Sequence, residues 1–279
     1  MQLDEYLSII TLQGETTLNI TKKHTLAVLF ASSALLLGAC GSDSSESGDS
    51  GASEEDKVLE MGTSAEFPPF ESRDASGEFV GFDIDMANRI AEEMGYELKI
   101  TDMKFDGLIG ALQNDRVDMV IAGMSATEAR KENVDFSTEY HFSGEMFVTP
   151  KDSDVTSLED LEGKTVGVQL GTIQEEGAKA IIEEEGINFE LKALDDSGAL
   201  IQEILSGRID AAYIDKEVAK GYVEAQDLGS FDDPTTSSPG MAVAFPKDSP
   251  LVEEVNAVLA EMEESGEMEE LKKKWKIEE

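Results

Sequence analysis

The 279-residue chain holds one cysteine, two histidines, and only 22 Lys and Arg against 60 Asp and Glu. One cysteine allows no intramolecular disulfide, no CxxC redox pair and no Cys-based zinc site. His24 and His141 lie far apart in sequence, which argues against a His-rich metal centre. No metal and no cofactor is expected. A formal charge of −38 repels a polyphosphate backbone, so nucleic acid is excluded as a partner. No stretch reaches the ~18 consecutive apolar residues that a membrane-spanning helix needs. What remains is an acidic chain, 40% apolar, long enough for one large domain or two ordinary ones.

The amino-terminal part reads as an address. Lys22 and Lys23 precede an apolar run over residues 26–37, broken only by Ser32 and Ser33. This is a basic n-region followed by an h-region. The run closes on Leu37-Gly38-Ala39-Cys40, which resembles the lipobox at which signal peptidase cuts before a cysteine that is then lipidated. Residues 1–39 are therefore expected to be a signal peptide, with translation starting nearer Lys22 than Met1, and Cys40 to be a lipid anchor. Residues 41–56 comprise six Ser, three Gly, one Ala and six acidic residues, a composition that buries nothing and suits a self-repelling tether. Removing residues 1–39 takes away two lysines and three acids, leaving 20 basic against 57 acidic residues and a charge of −37. The acidity thus belongs to the exported part and, spread along it, suits a solvated surface in high salt.

From residue 57 the pattern alternates. Strands are expected at 58–62, 97–100 and 119–122, with helices at 83–95 and 107–113 between them. The series restarts with strands at 165–168, 190–193 and 211–214 and helices at 174–185 and 199–206. Such alternation predicts parallel sheets covered by helices. A weak echo links the halves. Setting Arg116 on Arg208 pairs Leu108 with Leu200, Leu112 with Ile204, and Asp118 with Asp210. It also makes Gly123 and Asp215 equivalent strand ends, where parallel α/β sheets bind ligands.

Two of these strand ends carry helix-start signals. Ser125 and Glu128 have capping-box spacing, as do Thr172 and Glu175, so each segment aims free N–H groups and a positive dipole end at the strand tip. Arg130 adds a planar fork that either grips a carboxylate or joins a surface ion pair. Asp215 is either a loop aspartate or an acceptor for an ammonium. Taken together, a plus end and a minus end complement a zwitterionic α-amino acid. The single Gly171-Thr172 turn is neither a GxGxxG nor a phosphate-binding loop.

The run Gly62-Thr63-Ser64-Ala65-Glu66-Phe67-Pro68-Pro69-Phe70-Glu71, then Gly81-Phe82-Asp83-Ile84-Asp85 and Phe105-Asp106-Gly107-Leu108, resembles polar amino-acid solute-binding proteins of ABC importers, extracellular solute-binding family 3. The segments at 122–130, 166–174 and 208–215 continue the likeness, as does Lys273-Lys274-Trp275, over about residues 57–277. The resemblance implies a two-lobed, type II periplasmic-binding-protein-like α/β fold with two mixed, mostly parallel sheets. The first lobe would be residues 57–144 with 238–279 and the second residues 145–237, crossed at 140–144 and 238–241.

It implies that Arg130 holds the ligand carboxylate with the N–H groups of Ser125 and of Thr172 or Ile173. Asp215 would take the ammonium with the Gly123 carbonyl and the Ser125 hydroxyl. Phe67 and Phe105 would be apolar walls, with Phe70 in the core behind them. Ser64 stands where several relatives that bind cationic amino acids have aspartate. Ser64, Gln169 and Gln174 therefore lean towards a neutral polar side chain, unless Glu66 turns inward to compensate.

The implied partners are the permease and ATPase of an importer and the membrane through Cys40, with the protein itself a monomer and not an enzyme. Two other readings stay open. One is a sensor partner binding the same ligand. The other is an enzyme on the same scaffold, related to a dehydratase of aromatic precursors, with a cleft carboxylate such as Glu66 as its acid or base.

Overall fold

The computed structural model describes residues 57–235 and 238–277. The segments expected to be a signal peptide (residues 1–39) and a tether (41–56), with Cys40 between them, lie outside the described residues. The first lobe starts with β1 (Lys57–Thr63), the hairpin β2 (Ser72–Arg73) and β3 (Phe79–Val80), then α1 (Phe82–Met94), β4 (Tyr96–Asp102), α2 (Leu108–Gln113), β5 (Met119–Val120), α3 (Glu128–Lys131) and β6 (Asp135–Phe136). The second contains β7 (Glu145–Thr149), β8 (Thr165–Gln169), α4 (Ile173–Ala180), β9 (Glu190–Leu194), α5 (Ser197–Leu205), β10 (Ala211–Asp215), α6 (Lys216–Gln226) and β11 (Gly229–Asp232). The chain then returns through β12 (Ala244–Phe245), α7 (Leu251–Ser265) and α8 (Glu267–Trp275).

The sheets have strand orders β4-β1-β5-β12-β6 and β11-β7-β10-β8-β9. In each, one strand opposes the direction of the other four: β12 in the first sheet and β7 in the second. The reason is topological. The strands sharing a direction point their carboxyl ends at the space between the sheets, and a chain passing from one sheet to the other arrives there. The first strand after each passage must therefore run away from it, and β7 and β12 are those strands. The passages, residues 137–144 and 233–243, are tied together where Met241 bridges His141 and Ser125.

The helices form for the reasons their patterns state. α1 buries Ile84, Met86, Ala87 and Ile90 on one side and stops at Gly95. The helix expected at 174–185 keeps its length but not its regularity, since α4 ends at Ala180 and Ile181–Glu185 continues as a π-turn up to Gly186. α8 is pinned to α1 where Trp275 Nε1 and Lys274 Nζ both reach Asp85 Oδ2 at 2.6 Å. That contact returns the C-terminal helices to the first lobe.

The echo between the halves is a repeated turn. Asp118 Oδ2 accepts the Glu60 N–H at 2.8 Å, and Asp210 Oδ2 accepts the Thr165 N–H at 2.8 Å. Arg116 N donates to Ala111 O and Arg208 N to Glu203 O, five residues back in both cases. In each half an aspartate thereby clamps an incoming strand to the first strand of its helical unit, and so fixes where the strand ends fall.

Candidate functional site

Four strand ends meet between the sheets. Ser64 follows β1, Gly123 follows β5, Gln169 closes β8 and Asp215 closes β10. They line a narrow cavity with about 400 Å³ of space unfilled by atoms, open solvent included. All eleven residues singled out from sequence line it: Ser64, Phe67, Phe105, Gly123, Ser125, Arg130, Gln169, Thr172, Ile173, Gln174 and Asp215. Glu71, Ala122 and Met241 complete the wall and were not singled out. Phe70 is fully buried behind Phe67, with ring centroids 5.9 Å apart. Glu66 is not in the wall.

The positive end is Arg130. Its helix is a single turn capped by Thr127, whose Oγ1 accepts the Arg130 N–H at 3.2 Å. This corrects the expected Ser125–Glu128 box. Pro-free spacing allowed either cap, and the bridge from Ser125 to Met241 holds Ser125 in extended backbone, two residues too early to start the helix. Ser125 is instead free to face the cavity. The Arg130 fork donates from Nη1 to Ser125 O at 2.8 Å and from Nη2 across the cleft to Gly171 O at 3.0 Å. Its guanidinium carbon lies 5.3 Å from the Phe105 ring centroid. Burial lowers its pKa to about 10, which still leaves it charged at neutral pH. Among the described residues no carboxylate lies within ion-pair distance of it. A half-buried cation held only by carbonyls is a site for an anion.

Opposite it, Thr172 caps α4 as the sequence suggested, its Oγ1 accepting Glu175 N–H at 3.2 Å. The reciprocal arm is displaced by one residue, because Glu175 Oε2 accepts from Gly171 N at 2.8 Å. Phe67 is seated over Gly123, where an added Cβ would come within 2.9 Å of the Phe67 ring. Gly123 N in turn donates to Asp83 Oδ2 at 2.7 Å.

The negative end is Asp215. Its Oδ1 caps α6, accepting from Glu217 N at 2.9 Å and Val218 N at 3.3 Å. It is 3% exposed, and burial raises its pKa to about 7. No described lysine or arginine is within ion-pair distance. Glu71 is fully buried with no donor to either carboxyl oxygen, and burial, then the neighbouring Asp83 carboxylate to which its own proton bonds, hold its pKa well above the usual range. Nearby, burial raises Asp83 to about 6 and Glu145 to about 8. Glu145 takes the Gln174 side-chain amide on Oε2. Glu71 ends the Phe-Pro-Pro-Phe-Glu run, and a carboxylate beside a fully buried phenylalanine was the available signal for it. His141, the other titratable group nearby, packs 5.5 Å from Phe70 and is held neutral, its pKa lowered to about 4 by burial.

These raised acids fix a pH dependence. The folded protein keeps protons that the unfolded chain sheds, so this stability is complete below about pH 4 and is lost as pH rises through the folded values of about 6 to 8. The unliganded protein should therefore melt at a lower temperature at pH 8.5 than at pH 5.5. A ligand cation at Asp215 should shrink that fall. A melting curve flat or rising over the interval would contradict the assignment.

A cleft between two sheets, with a bare cation at one end and bare acids at the other, defines a two-lobed binding protein of the type II periplasmic-binding-protein kind. The chain belongs to the bacterial extracellular solute-binding proteins, family 3, whose pattern matches residues 59–278. It is 45% identical over 257 residues to the arginine-binding extracellular protein ArtP of Bacillus subtilis (strain 168), covering 91% of this chain and 98% of that one. A crystal structure of the substrate binding protein of an amino acid ABC transporter superposes with a TM-score of 0.74 at 44% identity, covering 78% of this chain and 98% of the other. An ancestral arginine-binding protein bound to arginine has a TM-score of 0.74 at 41% identity, covering 78% and 97%. An ancestral arginine-binding protein bound to glutamine gives a TM-score of 0.73 at 41% identity, again covering 78% and 97%.

Proposed function

We propose that this protein binds an L-α-amino acid with a cationic side chain between its lobes and delivers it to the permease of an ABC importer. The observation that carries this reading is the cavity's surplus of acids. Arg130 faces two lining acids, Asp215 and Glu71. A zwitterion satisfies Arg130 with its carboxylate and Asp215 with its ammonium, and Glu71 is left over, holding its proton while the site is empty. A second positive charge on the ligand would draw that proton off and be balanced by the carboxylate it leaves. The sequence lean towards a neutral side chain rested on hydrogen bonding by Ser64, Gln169 and Gln174, and the Gln174 amide N–H is engaged by Glu145. The side chain would pass between Phe67 and Phe105, with Ser64, Gly123, Ser125, Thr172 and Ile173 supplying polar contacts. Arginine binding by the relative ArtP supports this choice, whereas the ancestral structures, one bound to arginine and one to glutamine, do not separate the two.

Melting the purified protein against L-arginine, L-lysine, L-histidine, L-glutamine and L-citrulline tests it. Ligand at about 1,000 times its dissociation constant adds roughly 4 kcal/mol and moves the midpoint by several degrees. L-citrulline has arginine's shape without its charge. Arginine should bind at least about tenfold more tightly, and equal affinity would return the choice to a neutral ligand.

The enzyme reading named Glu66 as one cleft carboxylate that could serve, and Glu66 does not line the cavity. Delivery rather than sensing is tested by uptake of labelled arginine in cells lacking the gene, where unchanged uptake would favour a sensor. We propose that the monomeric protein is held at the outer face of the membrane by lipid on Cys40, the reading supported by Leu37-Gly38-Ala39-Cys40. Recovery of Cys40→Ser still in the membrane fraction would contradict it.

A further inference from the structure

Glu66 sits just outside the cavity, at the junction of the lobes. It comes from the loop after β1 in the first lobe, yet three of its contacts lie in the second. Glu66 Oε1 accepts from Gln169 Nε2 at 2.9 Å and from Ser197 N at 3.4 Å, while the Glu66 carbonyl accepts from Ser197 Oγ at 2.7 Å. Lys104, also of the first lobe, spans Glu66 Oε2 and Asp196 Oδ2, at 3.3 Å each. Gln169 is 5% exposed and lines the cavity, and Ser197 is fully buried.

Glu66 Oε1 already accepts the Ser197 N–H, and any proton Glu66 holds belongs on Oε2 beside Asp196, so the Gln169 amide turns its NH₂ to Oε1. Its carbonyl oxygen is then left over, and no described residue donates to it. In an open form, with the lobes apart, this constraint is absent.

Resting on the amino-acid reading above, we propose that Glu66 is a positioning residue for ligand selection: on closure it captures the Gln169 amide N–H and turns the Gln169 carbonyl into the cavity as an acceptor for an N–H-bearing side-chain tip. Selection for a donor tip is thereby tied to closure, because the two halves of the device sit on different lobes. Glu66 acts through Gln169 and does not itself touch the ligand.

The test is a double-mutant cycle on the purified protein, titrated with L-arginine and with L-methionine, whose side chain has comparable reach and no N–H at its tip. Glu66→Ala should weaken arginine by about tenfold, the value of one hydrogen bond to a charged group, and change methionine by less than about threefold. Gln169→Leu should do the same, and the double variant should lose no more than Gln169→Leu alone. Glu66→Gln discards the charge but keeps an acceptor, which the Ser197 N–H holds in place. It should retain the preference for arginine. Equal losses for both ligands in Glu66→Ala would make Glu66 a plain lobe clasp and overturn the proposal. So would a Glu66→Ala effect that persists undiminished in Gln169→Leu, or a Glu66→Gln variant as impaired as Glu66→Ala, since either would mean a direct charge effect. Wild-type protein that binds no amino acid would take down the amino-acid reading along with this one, whereas normal wild-type binding with an unchanged ratio would take down this one alone.

Discussion

Replacing Arg130 with alanine should weaken amino-acid binding by a hundredfold to several thousandfold. The guanidinium is half-buried, has no carboxylate partner among the described residues, and would meet the ligand carboxylate through two charge-assisted bonds worth roughly 1.5–3 kcal/mol each. Some reorganisation offsets this, because Nη1 and Nη2 already bond to Ser125 O and Gly171 O. Those bonds serve the same end. One anchors the fork to its own loop, and the other crosses to the turn before α4, so the fork is held in place as the lobes close. Arg130→Lys should recover little, since one ammonium cannot span both carbonyls and still present two parallel bonds. The folded state should tolerate the change, because it removes a charge that burial disfavours and that has no carboxylate at ion-pair distance among the described residues. Calorimetric titration, with melting of the unliganded variant as control, checks both halves. Affinity within fivefold of wild type would mean that the carboxylate end lies elsewhere.

The largest effect on stability should come from Gly81→Ala. Gly81 precedes α1 at φ 141°, a conformation L-residues rarely adopt. A Cβ there would lie 1.9 Å from the Phe70 carbonyl oxygen and 2.9 Å from the Glu71 Cα. Neither can retreat. Phe70 O accepts from Asp83 N at 2.9 Å, Pro69 O accepts from Phe82 N at 3.0 Å, and the Phe70 side chain is fully buried. The clash is backbone against backbone, so we expect a loss above about 4 kcal/mol, or no folded protein. Gly77→Ala is the control. It also has positive φ, at 88°, but nothing lies within 4 Å of its Cβ, and it should cost only about 1–2 kcal/mol. Urea unfolding of both variants measures the difference. Equal, small losses would show that the loop at Phe70 and Glu71 moves freely, and with it the cavity wall that Glu71 forms.

That loop also shows what could and could not be read from the chain. Periodicity located α1 to within a residue and the clustering of eleven cavity residues followed from strand-end reasoning plus family likeness. The pairing of Asp118 with Asp210 was visible as a weak repeat, and it is weak because only the turn is shared while the surfaces around it differ. The mixed α/β, two-lobed class was legible for the same reason. Elements that depend on distant partners were not. β7 is buried along its whole length, so it lacks alternation, and β12 has two residues. Thr127 rather than Ser125 caps α3 because Met241, over a hundred residues away, holds Ser125 extended. Glu71 is a cavity acid only because Asp83, Asp215 and the return passage close around it. Glu66 does not turn inward to compensate for Ser64, because the partner that turns it aside, Ser197, lies in the other lobe.

The central claim is a clamp with separate ends for carboxylate and ammonium. Calorimetric titration with L-arginine, agmatine and 5-guanidinopentanoate tests it most directly. The second compound lacks the carboxylate and the third lacks the ammonium, while both keep the guanidinium. The account predicts micromolar or tighter binding of L-arginine, about −8 kcal/mol, and at least a hundredfold weaker binding of either analogue. Agmatine or 5-guanidinopentanoate binding as tightly as arginine would contradict it.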